Sequence, residues 1–253
     1  MGERGAVTRS VVASAPGAAD ERELAEQVCR ACVDGLDVDG AAISLLPTAA
    51  TRTILAATDA TARLLEDLQF SLNEGACMEA AASGRPVLVP DLHHDLHTAR
   101  WPLFAAAVAE RTAVGALFAL PLQWGAVTLG VLDLYRIAPG QLADDQWSDL
   151  SAVADTTTWL FLGRRTMPGP AASAPVPPDG PGPVGHTERW LDETIGYRAE
   201  VHQATGMVLA QLGCSPTEAL ARMRGYAFAH DMLLADVARE VVARRLAFTE
   251  ETL

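Results

Sequence analysis

The chain has no lysine: all 19 of its basic residues are arginine. Chemistry that needs an amine is therefore excluded, including P-loop NTPases, protein kinases and pyridoxal enzymes. Phosphorelay receiver domains, whose acidic pocket normally carries a lysine, are excluded too. Cysteine is scarce, with 4 in 253 residues, so no disulfide scaffold is expected. Long apolar runs are absent, and the longest stretches, such as Val114 to Leu122, are too short to cross a bilayer. Residues Met1 to Asp20 lack a basic start followed by an apolar run, so no secretion signal is expected. Positive charge is short overall: 32 carboxylates leave a net charge of -13. Such a chain has no electrostatic reason to coat DNA or anionic membranes nonspecifically. There is no H-E-x-x-H and no G-x-S-x-G. The expectation is a cytoplasmic protein with reduced thiols that is not an enzyme.

What is present is enough apolar matter, 49% of residues, to build more than one core. Pro168 to Gly185 holds seven of the 15 prolines and has no apolar periodicity, which marks a linker. The expected organisation is a disordered tail over 1–19, a domain over 20–165, a linker over 166–186 and a second domain over 187–248. In the first domain, Asp20 and Glu23 make a capping-box pattern before a helix over Asp20–Asp34. Strands are expected at Gly40–Leu46, Thr53–Thr58 and Pro86–Pro90. Val114–Leu122 and Val127–Arg136 read as a hairpin turning at Gly125. Helices are expected at Ala60–Leu68, Ala76–Ser83, Trp101–Glu110 and Asp144–Leu162. Strands that pair antiparallel, with helices at both ends, make this an α+β fold. The second domain reads as three helices, with Ser215-Pro216-Thr217-Glu218 as the start signal of the middle one.

Cys29-x-x-Cys32 lies on a helix and has no second cysteine pair to complete a four-ligand site, so it reads as two small buried residues. His93, His94 and His97, with Asp91 and Asp95, have metal-like spacing, but the segment reads as a solvated loop after a strand. No metal site is expected. Cys77 lies two residues after Gly75 at a helix start, where a thiolate is stabilised and a redox or ligand-contact role is open to it, though core packing is the commoner use of such a residue.

The strings NEGACMEA (Asn73–Ala80), SGRPVLVPDL (Ser83–Leu92), ALPL (Ala119–Leu122) and LGVLDLYR (Leu129–Arg136) make the first domain resemble a GAF sensor domain. The strings VHQATGMVLAQLG (Val201–Gly213), EALARMRGYA (Glu218–Ala227) and ADVAREVV (Ala235–Val242) make the second resemble an ANTAR domain. The resemblance to GAF–ANTAR regulators, an architecture of high-GC bacteria such as actinobacteria, implies an RNA-binding transcription antiterminator. Such a protein grips paired stem-loops in nascent leader RNA and keeps a terminator hairpin from forming. It also implies a homodimer and a GAF domain that senses an unidentified small-molecule effector, with no other cofactor. On this resemblance Arg198, His202, Gln203, Thr205, Gly206, Arg224, His230 and Arg239 are the RNA-binding candidates. Asn73, Glu74, Gly75, Cys77, Trp101, Phe104 and Phe118 are the candidates for the GAF ligand pocket.

The residue chemistry sets a condition on that reading. From His186 to Leu253 seven arginines face ten carboxylates, so recognition must lean on shape and exposed loop bases rather than bulk charge. Arginine supplies planar donor forks, and Gly206 permits close backbone approach. Tyr226 and Phe228 offer stacking faces, though packing is their commoner use. The family often has lysine where this chain has Thr205, and basic residues where it has Asp231-Met232-Leu233. That departure supports an alternative: a GAF-based redox or ligand sensor, or protein-interaction regulator, without RNA binding.

Overall fold

The computed structural model describes residues 5–48, 51–166, 196–230 and 232–249. They form two compact units, one mainly of sheet and helices and one mainly of helices. The expected linker, apart from Thr166, and residues 187–195 of the expected second domain lie outside the described residues.

The first unit departs from expectation at its start. Residues 6–14 are not a disordered tail but helix α1 (Ala6–Ser14), followed by a 3-10 turn over Ala15–Gly17. Val7 and Val11 are buried, and the helix N-terminus is satisfied from far along the chain. Asp149 accepts hydrogen bonds from Val7 N at 3.0 Å, Thr8 N at 3.2 Å and Thr8 Oγ1 at 2.7 Å. A weak local helix is thus held by a distant carboxylate and by apolar burial, neither of which small, aperiodic residues advertise. In α2 (Glu21–Gly35) the cap is reciprocal: Glu23 N donates to Asp20 Oδ1 at 2.8 Å, and Ala19 N donates to Glu23 Oε2 at 2.7 Å.

Five strands follow: β1 (Gly40–Thr48), β2 (Thr51–Ala57), β3 (Val87–Val89), β4 (Ala116–Trp124) and β5 (Val127–Arg136). They form one antiparallel sheet in the order β2-β1-β5-β4-β3. Between them lie α3 (Ala60–Leu72), α4 (Ala76–Ser83), α5 (Asp95–Arg100) and α6 (Pro102–Arg111), and α7 (Asp144–Thr166) closes the unit. The alternation of strand side chains separates two cores. Ile43, Leu45, Phe118, Leu120, Leu122, Leu132 and Leu134 pack with α1, α2 and α7. Ala42, Leu117, Ala119, Val131 and Tyr135 pack with α3, α4 and α6. The unit is therefore three layers, helices on both faces of the sheet. Arg164 of α7 donates to the carbonyls of Ala15 and Ala18 at 3.0 and 2.6 Å, closing the N-terminal segment onto α7. Trp159 of α7 meets Trp124 of β4 edge to face, ring centroids 4.2 Å apart, and both remain largely exposed.

The second unit is a three-helix bundle of α8 (Gly196–Leu212), α9 (Pro216–Ala229) and α10 (Leu234–Val242). Gly213, at φ 64°, ends α8, a left-handed position that glycine adopts without strain. Ser215 Oγ accepts from Glu218 N at 3.2 Å, and Pro216 opens α9. Val201, Ala204 and Val208 of α8, Ala219, Met223 and Ala227 of α9, and Val237, Ala238 and Val241 of α10 are all buried and make up the core. Beyond α10, Phe248 is buried against Tyr226, and its N–H reaches Gln211 Oε1 at 2.9 Å.

Candidate functional site

The bundle sorts its candidate residues by face. Arg198 and His202 lie on α8, and their side chains fall outside the described residues. Gln203 and Gly206 are exposed one turn apart, and a Cβ at Gly206 would meet nothing within 4 Å. The backbone there is open to close approach. Thr205 turns the other way: its hydroxyl donates to Val201 O at 2.6 Å and touches Met223 Sδ at 3.8 Å. The structure thus removes Thr205 from the exposed face, because helical spacing aims it at α9. Arg224 is half-buried, and burial pushes its guanidinium down from the usual value. Arg239 is exposed but sits 3.6 Å from Glu200 and also pairs with Asp236. His230 caps α9: its ring stacks on Tyr226 at 3.9 Å, and its Nδ1 lies 2.9 Å from Tyr226 O. Tyr226, between His230 and Phe248, serves packing, whereas Phe228 is 65% exposed.

Three cations on this unit were not anticipated. Arg222 pairs with Glu218 at 3.6 Å, and Arg245 grips Glu240 through two 2.8 Å bonds. That grip holds the Glu240 carboxyl below its ordinary range and raises Arg245. Arg244 is exposed in the left-handed region at φ 58°. Residues 196–249 carry six arginines against five carboxylates, so the folded bundle lacks the acid excess of the rest of the chain.

In the sheet unit, Asn73 ends α3 in the left-handed region at φ 56°. Glu74 Oε2 accepts from Leu103 N at 2.9 Å and Phe104 N at 3.0 Å, placing a carboxylate on the N-terminus of α6. Gly75, at φ 113°, is required by close approach, since a Cβ would lie 2.6 Å from Gln69 Oε1. That same oxygen accepts from Cys77 N at 2.7 Å. Asn73, Glu74 and Gly75 therefore do structural work in joining α3, α4 and α6. Cys77, Trp101 and Phe104 come together in one buried cluster. Phe118 does not join them: strand alternation puts it on the opposite sheet face, which corrects its assignment to a common pocket.

One cavity among the described residues is formed by side chains that the sequence analysis did not single out. Glu66, Gln69, Asp133 and Tyr135 line it together with Ala62 and Ala76, and its free volume is about 10 Å³, room for about one water. Beside it, Glu66 of α3, Cys77 of α4 and Asp133 of β5 bring one oxygen, one sulfur and one oxygen to within 4.8 Å of each other. Ser44 Oγ donates to Glu66 Oε2. Burial, with Asp59 adding, pushes the Tyr135 hydroxyl up to about 12. The signal was available. Asp133 shares strand parity with Val131 and Tyr135, and Glu66 lies on the buried stripe of Ala62, Leu65 and Gln69.

The remaining clusters are plain. Cys29 and Cys32 are buried, as expected of small core residues, and burial pushes both thiols up, Cys32 to about 12. The expected polar loop at His93–His97 instead turns into the short helix α5, with His94 Nδ1 accepting from Leu96 N at 3.3 Å as its cap. His97 stacks on Trp101, and burial lowers its pKa, with Arg100 and His94 adding. Among the described residues no helix is long and apolar enough to cross a membrane.

Residues 18–158 match the family profile of the GAF domain, and residues 191–242 match that of the ANTAR domain. No curated protein matches the chain. Among solved structures, the GAF domain of a phosphoenolpyruvate-protein phosphotransferase from Coxiella burnetii is similar, with TM-score 0.50 and 13% identity, covering 63% of this chain and 92% of that one. The GAF domain of the Acinetobacter phosphoenolpyruvate-protein phosphotransferase gives 0.47 and 14%, over 63% and 92%. A free methionine-R-sulfoxide reductase from Neisseria meningitidis gives 0.42 and 16%, over 63% and 90%. At 13% identity the likeness to the Coxiella domain concerns the fold alone.

Proposed function

Because the chain belongs to the GAF domain family and carries an ANTAR domain after it, we propose that it is a signal-responsive, RNA-binding transcription antiterminator. The observation that carries the reading is the union, in one chain, of a sensor-type domain with an RNA-binding antiterminator module. The protein acts in the cytoplasm on stem-loops of nascent leader RNA and catalyses no reaction. It works as a homodimer, so that two bundles engage two hairpins and gain avidity through effective concentration. On each bundle, Gln203 and the open backbone at Gly206 meet loop bases, and Arg224 supplies a donor fork. Phe228 is the exposed ring available for stacking. Because Arg222, Arg239 and Arg245 are already held by carboxylates, phosphate contact is a minor part of the affinity.

The same ion pairs favour a second reading, in which the bundle has given up RNA and serves protein partners. A titration of the full chain against a two-hairpin leader RNA, at modest and raised salt, separates the two. Single-hairpin RNA and duplex DNA serve as controls. The antiterminator reading requires tight binding to the paired hairpins only, with a shallow salt slope. A folded protein that binds none of them, with or without divalent metal, supports the second reading.

A further inference from the structure

We infer that Glu66, Cys77 and Asp133 form a binding site for one divalent transition-metal ion of zinc-like, borderline-soft character. The donors come from three different elements, α3, α4 and β5, and their ligand atoms lie within 4.8 Å of one another. Donors held about 2.0–2.3 Å from one ion stand roughly 3.3–3.8 Å apart in tetrahedral geometry, so modest side-chain rotation closes the set. One sulfur and two carboxylate oxygens suit zinc, iron(II) or cobalt(II) rather than magnesium or calcium, which take oxygen donors. The adjoining cavity, lined by Glu66 and Asp133 and large enough for about one water, supplies the fourth position.

The surroundings are built to hold these donors still. Ser44 donates to Glu66, fixing one carboxylate oxygen, in the manner of groups that orient metal ligands. Gln69 accepts from the Cys77 backbone N–H at 2.7 Å, locking the first turn of α4, and only glycine fits at position 75 against that amide. Glu66 is 1% exposed and Cys77 fully buried, and Asp133 comes within reach of both. Binding displaces the thiol proton to solvent, and no oxidant or reductant is involved. The ion links α3 and α4 to the sheet and so deepens the sensor reading. Its regulatory consequence rests on that reading, and the site itself does not.

The test is a Co²⁺ titration of the reduced full-length chain, followed by optical absorption and by competition with Zn²⁺. One equivalent per chain is expected, with ligand-field bands in the visible, a thiolate charge-transfer band in the near ultraviolet, and loss of both on adding Zn²⁺. Cys77→Ser should abolish the charge-transfer band, and Asp133→Asn should weaken Co²⁺ binding by at least about tenfold. Cys32→Ala and a His93→Ala/His97→Ala variant should leave both signals unchanged. Circular dichroism reports whether each variant is folded; if Cys77→Ser is not, Glu66→Gln carries the same expectation as Asp133→Asn. A folded native chain that takes up no Co²⁺, or binds it without a thiolate band, overturns the site. So does a folded Cys77→Ser that keeps the band. A chain that binds Co²⁺ but no hairpin RNA sinks the antiterminator reading alone; one that binds RNA but not Co²⁺ sinks the metal site alone.

Discussion

The two units place their chemistry on opposite sides of their surfaces. The sheet unit turns polar groups inward: Ser44, Glu66 and Asp149 are buried, and each makes a hydrogen bond to another element. The bundle keeps an apolar core of valine, alanine, leucine, methionine and Phe248, and among the described residues Arg222, Arg224, Arg239, Arg244 and Arg245 are at the surface or half-buried. A unit that responds to a small effector gains from interior groups whose interactions change when the effector binds. A unit that docks on a large, flexible nucleic acid gains from an unchanging core and an accessible face.

The largest expected effect tests the inward polar groups. Asp149→Ala removes the acceptor for Val7 N and Thr8 N, and should destabilise the sheet unit by about 2–4 kcal/mol. Urea unfolding and hydrogen exchange over residues 5–20 would read it; an unchanged midpoint with α1 still protected would show that apolar burial alone holds the helix.

The interior thiols come next. Burial, with Asp149 adding, pushes the Cys32 thiol up to about 12 from the ordinary thiol value of 9.0. The folded state thus keeps its proton while the unfolded state ionises. The contribution is fully present below pH 9.0 and is lost as pH rises toward 12. Stability should fall by about 1.4 kcal/mol per pH unit in that window from this thiol, and Cys29 shifts in the same direction. Urea midpoints at pH 7.5 and 10 for the native chain and Cys32→Ala would show it, the variant losing part of the slope.

On the displayed side, Arg224→Ala should weaken hairpin RNA binding by about 1 kcal/mol or more if its fork reaches a base. Unchanged affinity in a folded variant would remove Arg224 from the interface and blunt the contrast. The smallest effect has two signs. Gly206→Ala fills open space in a helix and should stabilise the bundle by up to about 1 kcal/mol. RNA affinity should fall at the same time, because the added methyl lies where the backbone is meant to be approached. If affinity holds while stability rises, that face does not meet RNA.

What could be read in advance follows how local the cause is. The α9 start, the β4–β5 hairpin and the Asp20–Glu23 cap were legible because the determining residues lie within four positions of one another. Helix α1 was not, since its cap is 142 residues away at Asp149. Phe118 was misplaced because Val114–Leu122 is apolar on both faces, as a strand covered on both sides must be, so its parity carries no label. The Glu66–Cys77–Asp133 group shares no sequence neighbourhood, and only the convergence of three elements assembles it. The individual acids were nonetheless visible as polar residues on apolar stripes.

The edge-to-face contact of Trp124 and Trp159 gives the molecule an optical reporter of its own. Two indoles with ring centroids 4.2 Å apart and 71° between their planes couple their electronic transitions, and the sign and size of that coupling follow the angle between them. One ring rides on α7 and the other on β4, so a shift of the helix along the sheet changes the tryptophan circular dichroism without any label.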